Sequence, residues 1–242
     1  MIQYERQLSI LHYLEGHHAA TIKQLSGAVY SSEASVRRDL NQLEKQGIVS
    51  RVYGGVILSK YQNANVPLVL RKQENVAQKE EIAQRAAELV CDGATIFIDA
   101  SSTAGRIVKY LNSYHNLKII TNSVTVVKEA SKNNIDVWTT GGKYFCENRA
   151  FVGPYADEFA RSINIDIFFF SCQGITEDGR ISDVSERETS LRRVVLEHSK
   201  KKIFLCDSSK IGVQRMFFLC TRFDVDEIIC DKVLPWKVQK EN

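Results

Sequence analysis

No cysteine pair in the 242-residue sequence has the spacing of a disulfide framework or a metal site. The six cysteines, at 91, 146, 172, 206, 220 and 230, form no C-x-x-C pair and no cluster with histidine. They read as buried small apolar groups or free thiols, and no metal or other cofactor is expected. A long apolar run is also missing. The strongest stretch, residues 165–172, contains Asp166 and falls far short of the roughly 20 residues a membrane span needs. Met1-Ile2-Gln3-Tyr4-Glu5-Arg6 has no basic region ahead of an apolar block, so no secretory signal is read and a soluble, cytoplasmic protein is expected. Three prolines and 13 glycines exclude collagen-like or linker-like sequence. Nor does charge of one sign dominate: 32 basic and 29 acidic residues give +3. Net charge therefore announces no nucleic-acid binder, and any such site must be local. Residues 1–60, with seven basic and five acidic side chains, are slightly the more basic part.

What is present is the balance of a globular chain, 44% hydrophobic and 25% charged, whose character changes near residue 60. Tyr4, Leu8, Leu11 and Leu14 lie at helical spacing. Thr21-Ile22-Lys23-Gln24 fits a capping box that opens a second helix. Ser31 and Ser32 are natural caps for a third, running to about Gln46 with Gly47 as its stop. Two β-prone runs, 48–53 and 56–58, joined through Gly54-Gly55, read as a hairpin. Residues 1–58 therefore form one expected domain, a winged helix-turn-helix. A polar stretch broken by Pro67 marks a linker over 59–72. Over 73–242, helical patterns (74–90, 104–111, 124–132, 155–162, 185–198) alternate with strand patterns (95–99, 117–121, 135–140, 165–171, 202–207, 227–231). Such alternation implies a mainly parallel α/β domain with helices on both faces of the sheet.

The third helix carries the chemistry of the first domain. Val36, Leu40 and Leu43 share a face that packs inward. Ala34, Arg38, Asn41 and Lys45 lie opposite, with Ser35, Arg37 and Gln42 at the edges. Arg, Asn, Gln and Lys are the side chains that reach base edges and phosphates in a major groove. Ser31 and Ser32 stand at a helix N-terminus, where free N–H groups favour a phosphate. The hairpin places Arg51, Tyr53 or Gly54-Gly55 close to the DNA backbone or the adjacent minor groove. A solvated polar helix face is the plain alternative, but three helices, capped starts, paired arginines and a wing together point to double-stranded DNA.

The run from Ser35 through Arg37-Arg38-Asp39-Leu40 to Gly47, followed by Arg51-Val52-Tyr53-Gly54-Gly55, closely resembles the signature of the DeoR family of bacterial transcriptional regulators, and the resemblance covers essentially the whole chain. It implies a repressor of sugar-metabolism genes acting on an operator. It also implies a C-terminal domain resembling ribose-5-phosphate isomerase that senses a phosphorylated sugar. A homo-oligomer is expected on separate grounds, because one small winged helix contacts few phosphates and joining several raises affinity.

Open parallel sheets bind ligands beyond the carboxyl ends of their strands, and the residues there agree with that expectation. Asp99-Ala100-Ser101-Ser102-Thr103 follows the first strand and leads into a helix, which suits a phosphate cradle or a simple N-cap. The family motif here is Asp-Ser-Gly-Thr-Thr; Asp99 and Thr103 match, and Ser102 replaces the glycine. Thr121-Asn122 and Gly141-Gly142 resemble family positions around the effector pocket, with an N-cap and a turn as the plain alternatives. Gly174 follows the most apolar strand. Glu188 and Arg192 match a family helix and are also an i,i+4 pair, so a surface ion pair is equally open. Lys210, on the loop Asp207-Ser208-Ser209-Lys210, is placed to meet a phosphate or sugar oxygen. Two competing functions remain: a sugar-phosphate isomerase or deaminase using Glu186 or Glu188 as base, against which the fused winged helix stands, and a protein-interaction module.

Overall fold

Ile10, Leu11 and Leu14 line one face of α1 (Gln3–His17) and are fully or almost fully buried. A two-residue strand, β1 (Ala19–Ala20), precedes α2 (Ile22–Ala28), whose Thr21–Gln24 capping box is complete in both directions. Helix α3 (Glu33–Lys45) starts at the N-cap Ser32 and buries Val36, Leu40 and Leu43 against α1 and α2. Gly47, at φ +70°, stops it in the left-handed conformation that glycine takes freely. Strands β2 (Val49–Val52) and β3 (Gly55–Leu58) pair antiparallel, and β1 joins them in the order β1-β3-β2. A Cβ on Gly55 would meet the Ala20 carbonyl oxygen at 2.8 Å, so glycine is required for β3 to approach β1. The winged helix-turn-helix is thus present, with one wing strand the sequence pattern did not show. The computed structural model describes residues 2–17, 19–52, 55–58 and 68–234. The chain divides into two compact units, Met1–Arg71 and Lys72–Asn242. The expected linker is corrected at its end: Leu68–Arg71 is a short helix, α4, with Leu68 buried.

The second unit is built on six parallel strands. They are β4 (Thr95–Ile98), β5 (Lys118–Thr121), β6 (Asp136–Thr139), β9 (Ile165–Phe170), β12 (Ser199–Cys206) and β14 (Glu227–Cys230), in the spatial order β14-β12-β9-β4-β5-β6. The chain starts at β4, moves outward through β5 and β6, then returns to β9 on the other side of β4 and moves outward again. The order reverses between β4 and β9, which makes a crevice at their carboxyl ends. Side chains alternate between two cores. Ile96, Ile98, Ile167, Phe169, Ile203 and Leu205 meet α5 (Val76–Ala87), the 3₁₀ helix Ala104–Tyr110 and α6 (Val124–Lys132). Phe97, Phe168, Phe170 and Phe204 meet α7 (Pro154–Arg161) and α8 (Glu186–Glu197). Burial on both faces is why these strands read as near-continuous apolar runs.

Three expectations are corrected here. The helix expected at 74–90 begins at Val76, after Asn75 in a left-handed conformation (φ +50°). The helix expected at 104–111 is a 3₁₀ helix. Two small antiparallel sheets were not foreseen: β7 (Lys143–Phe145) with β8 (Ala150–Val152), and β10 (Gly174–Ile175) with β11 (Arg180–Asp183) and β13 (Phe217–Thr221). Among the described residues no helix is long and apolar enough to cross a membrane.

Candidate functional site

In the first unit α3 leaves Arg37, Arg38, Asn41, Gln42 and Lys45 exposed. The Ser32 hydroxyl accepts a hydrogen bond from the Ser35 amide at 3.2 Å, fixing the first turn. Ser31 is half-buried and its hydroxyl donates to the Val29 carbonyl at 3.1 Å, so it shapes the turn before the helix. Arg37 lies 3.4 Å from Glu33, and Arg38 reaches back to the Ser35 hydroxyl at 3.4 Å. Arg51 hydrogen-bonds Asn41 and pairs with Glu44 at 3.1 Å, which stitches the wing strand β2 to α3. Gln42, though exposed, also has a role within the domain: its carbonyl oxygen accepts from Gln3 and Gln7, each at 2.8 Å, tying α3 to α1. Asp39, between the paired arginines and Leu40, is completely buried and pairs with Arg6 at 2.5 Å. An acidic residue inside a basic motif is the only sequence signal for it. Tyr53 and Gly54 lie outside the described residues.

In the second unit the expected effector residues collect at the carboxyl edge of the six-stranded sheet. Arg192, from α8, is 4% exposed and enters the crevice between β4 and β9. Its Nε donates to Asp99 at 2.7 Å and its Nη1 to Asp183 at 3.1 Å, while Glu188 lies 3.8 Å from Nη2. Burial disfavours the guanidinium charge, but Asp99, Asp183 and Glu188 outweigh that and hold its pKa well above the usual arginine value. Glu188 and Arg192 are therefore not a surface pair. They belong to a buried ionic cluster, extended by Asn148, whose amide donates to Glu188. Asp99 does not present itself as part of an anion cradle. Its carboxylate accepts from Arg192 and from the Ser101 and Ser171 amides, at 3.0 and 3.5 Å, and so holds the loop together.

Around that cluster some groups are occupied and others are open. Ser101 caps the 3₁₀ helix, accepting from the Ala104 amide at 3.1 Å. Thr121 donates to the Ile98 carbonyl at 2.6 Å and accepts from the Ser123 amide at 3.0 Å. Ser102 and Thr103 are buried, yet among the described residues their hydroxyls take no hydrogen bond. Asn122 donates to the Phe151 carbonyl at 3.3 Å, but its Oδ1 is buried without a partner, and so is Oδ2 of Asp207. Lys210, half-buried on the loop after β12, has no ion-pair partner among the described residues. Gly141 opens onto free space, whereas a Cβ on Gly142 would meet the Val152 oxygen at 2.8 Å. Gly174 is corrected: a Cβ there would lie 2.4 Å from the Val213 oxygen, so another stretch of backbone fills the space expected for a ligand. No group of three or more His, Cys, Asp or Glu side chains among the described residues could hold a metal ion. The Cys172 thiol, beside Arg192, is pushed up by burial and is a core group.

Residues 6–62 match the DeoR-like helix-turn-helix domain and residues 74–232 the DeoR C terminal sensor domain. The chain belongs to the DeoR family. It is 32% identical to the HTH-type transcriptional regulator GolR of Listeria innocua, over 100% of this chain and 95% of that protein. It is also 32% identical to the L-fucose operon activator of Haemophilus influenzae, over 96% and 93%. With the glycerol-3-phosphate regulon repressor of Escherichia coli it shares 27%, over 99% and 95%. Among solved structures it is similar to ribose 5-phosphate isomerase A of Methanocaldococcus jannaschii (TM-score 0.43, 19% identity, 57% of this chain and 55% of that one). It is also similar to eIF2B delta of Chaetomium thermophilum (TM-score 0.50, 13% identity, 88% and 76%). These are likenesses of fold. The DeoR-family chain is a DNA-binding transcriptional regulator, and the alternative of an isomerase or deaminase falls with that assignment.

Proposed function

We propose that this regulator represses genes of sugar metabolism, that it contacts operator DNA through the exposed face of α3, and that a phosphorylated sugar bound at the carboxyl edge of the second unit's sheet controls it. On α3, Arg37, Arg38 and Lys45 supply charge for phosphates and the groove, Asn41 and Arg51 act as one hydrogen-bonded unit, and Ser32 and Ser35 order the entering turn. The observation that carries the effector site is the set of unpartnered polar groups there. Asn122 Oδ1 and Asp207 Oδ2 are buried without hydrogen bonds, the hydroxyls of the buried residues Ser102 and Thr103 take none among the described residues, and the half-buried Lys210 lies on the same loop as Asp207. Buried polar groups are nearly always satisfied, and exceptions call for a ligand or water. Hydroxyls and an ammonium suit a phosphate ester, while a carboxylate and an amide oxygen suit sugar hydroxyls. The buried Arg192 cluster frames this site and is not free to meet a phosphate directly. The functional assembly is a homo-oligomer, because one small winged helix contacts few phosphates and joining several raises affinity through effective concentration. An effector controls such a protein only by binding its DNA-competent and incompetent states differently.

The test is thermal stabilisation of the full chain by a panel of phosphorylated sugars and their unphosphorylated parents. Ligand at 100 times its dissociation constant adds about 2.7 kcal/mol of stability. The expected result is a shift confined to one phosphate ester and lost on Lys210→Ala. Equal shifts with the parent sugar, or none across the panel, would remove the sugar-phosphate assignment and leave the DNA-binding assignment standing. Repression is tested separately, by deleting the gene: transcription from the bound promoter should rise, and a fall would make the protein an activator.

A further inference from the structure

Tyr30 occupies the turn between α2 and α3 with φ +47°. A residue with a Cβ enters that left-handed conformation only at a cost, whereas glycine or asparagine takes it readily. The residue is 92% exposed, so no burial offsets the cost. Among the described residues it takes no side-chain hydrogen bond, ion pair or ring contact. The turn itself is well held. The Ser26 hydroxyl donates to the Ser31 carbonyl at 2.6 Å, and the Ser31 amide donates to the Ser26 carbonyl at 3.1 Å. Val29 on one side is buried in the core, and Ser32 on the other caps α3. The frame therefore imposes the left-handed residue, and glycine would serve it better. Tyrosine there gains nothing inside the chain, and an outlier of this kind points outward to function.

The direction of that function follows from what lies next to it. The turn opens directly into the first turn of α3, whose exposed side chains include Arg37, Arg38 and Lys45. A polyanion drawn to those charges meets the aromatic ring at the N-terminal end of the helix. A phenol is a neutral hydrogen-bond donor of the kind that contacts DNA phosphates, and such contacts set register on the duplex. We propose that Tyr30 is a further DNA-contacting residue, its O–H donating to a backbone phosphate oxygen beside the groove that α3 enters. This rests on the assignment of the α3 face to DNA.

The probe is a duplex selected by the full-length wild-type chain from a random-sequence pool, titrated with wild type, Y30F, Y30G and the double variant R37A/R38A. Y30G should melt at or above the wild-type temperature, since it relieves the backbone, yet bind about tenfold more weakly, as expected for loss of a hydrogen bond to a charged group. Y30F, which also lacks the O–H, should bind as weakly as Y30G, and wild-type affinity in Y30F would overturn the hydrogen bond. The salt dependence should keep the wild-type slope, because a neutral phenol displaces no counterion. Wild-type affinity in both Tyr30 variants overturns the contact, and if R37A/R38A then loses binding the α3 face stands without it. Wild-type affinity in R37A/R38A overturns the face itself. Weaker binding by Y30G accompanied by a smaller species in sedimentation would place the ring between copies of the chain and also overturn the contact.

Discussion

Arg192 is surrounded by more negative charge than it neutralises, with Asp99, Asp183 and Glu188 all within 3.8 Å of its guanidinium. A buried ionic group of this kind is weak evidence for stability by itself, but removing one member leaves the others desolvated and unpaired. Arg192→Met should therefore lower stability by about 3–5 kcal/mol, read from the midpoint of a denaturant titration at constant slope. A loss under about 1 kcal/mol would show that water already reaches the cluster. The i,i+4 spacing of Glu188 and Arg192 was legible in the sequence. Their burial was not, because the partners that bury them, Asp99 and Asn148, come from loops 93 and 40 residues away. For the same reason Asp99 was assigned to a ligand when its carboxylate is occupied by the protein. The helical wheel puts Gln42 on the exposed face, where the structure leaves it; that its carbonyl oxygen also ties α3 to Gln3 and Gln7 of α1 is not readable from the wheel.

At the scale of elements, long amphipathic helices and apolar strands were readable to within three residues, since a period marks each and a capping hydroxyl marks the start of several helices. Ser32, Ser123 and Ser185 each cap the helix they precede. The short antiparallel pieces were not readable, because strands of two to five residues carry too few alternations to show a period. β10 illustrates what replaces the missing signal. Its Gly174 owes its identity to the Val213 carbonyl, close enough that a Cβ would lie 2.4 Å from the oxygen. Gly174→Ala should force β10 away from that segment and cost about 1–3 kcal/mol, the range for overpacking a filled site. A thermal melt checks it, and an unchanged midpoint would mean that the 213 segment yields without resistance. The 3₁₀ form of Ala104–Tyr110 has no physical account in the sequence pattern, which reads equally well as an α-helix.

For the molecule as a whole, a net charge of +3 leaves long-range attraction to DNA weak, so on the proposed reading affinity comes from the local face on α3. Binding should then depend on salt through the phosphates contacted. With six to ten contacts in an assembled oligomer, affinity should fall by about 10³–10⁵ between 50 and 200 mM salt. A flat response in an anisotropy titration would argue against phosphate contacts. Such a slope would also exceed what one winged helix supplies, and so reports on assembly as well as on charge.

The sheet order has a further consequence, for the sequence of events during synthesis. In the first unit the ties are shorter than in the second: Arg51 to Asn41 spans ten residues and Gln3 to Gln42 spans 39. In the second unit β4 cannot complete its pairing until β9 exists. The Asp99–Ser171 contact spans 72 residues, Asp99–Arg192 spans 93, and Asn75–Asp207 spans 132. Local contacts form quickly, whereas non-local parallel pairing is slow, and domains form N-terminal first as the chain emerges from the ribosome. On the proposed reading the growing chain thus carries its DNA-contact face well before the crevice between β4 and β9 has closed, and nascent or truncated copies would meet DNA without the proposed effector site to govern them.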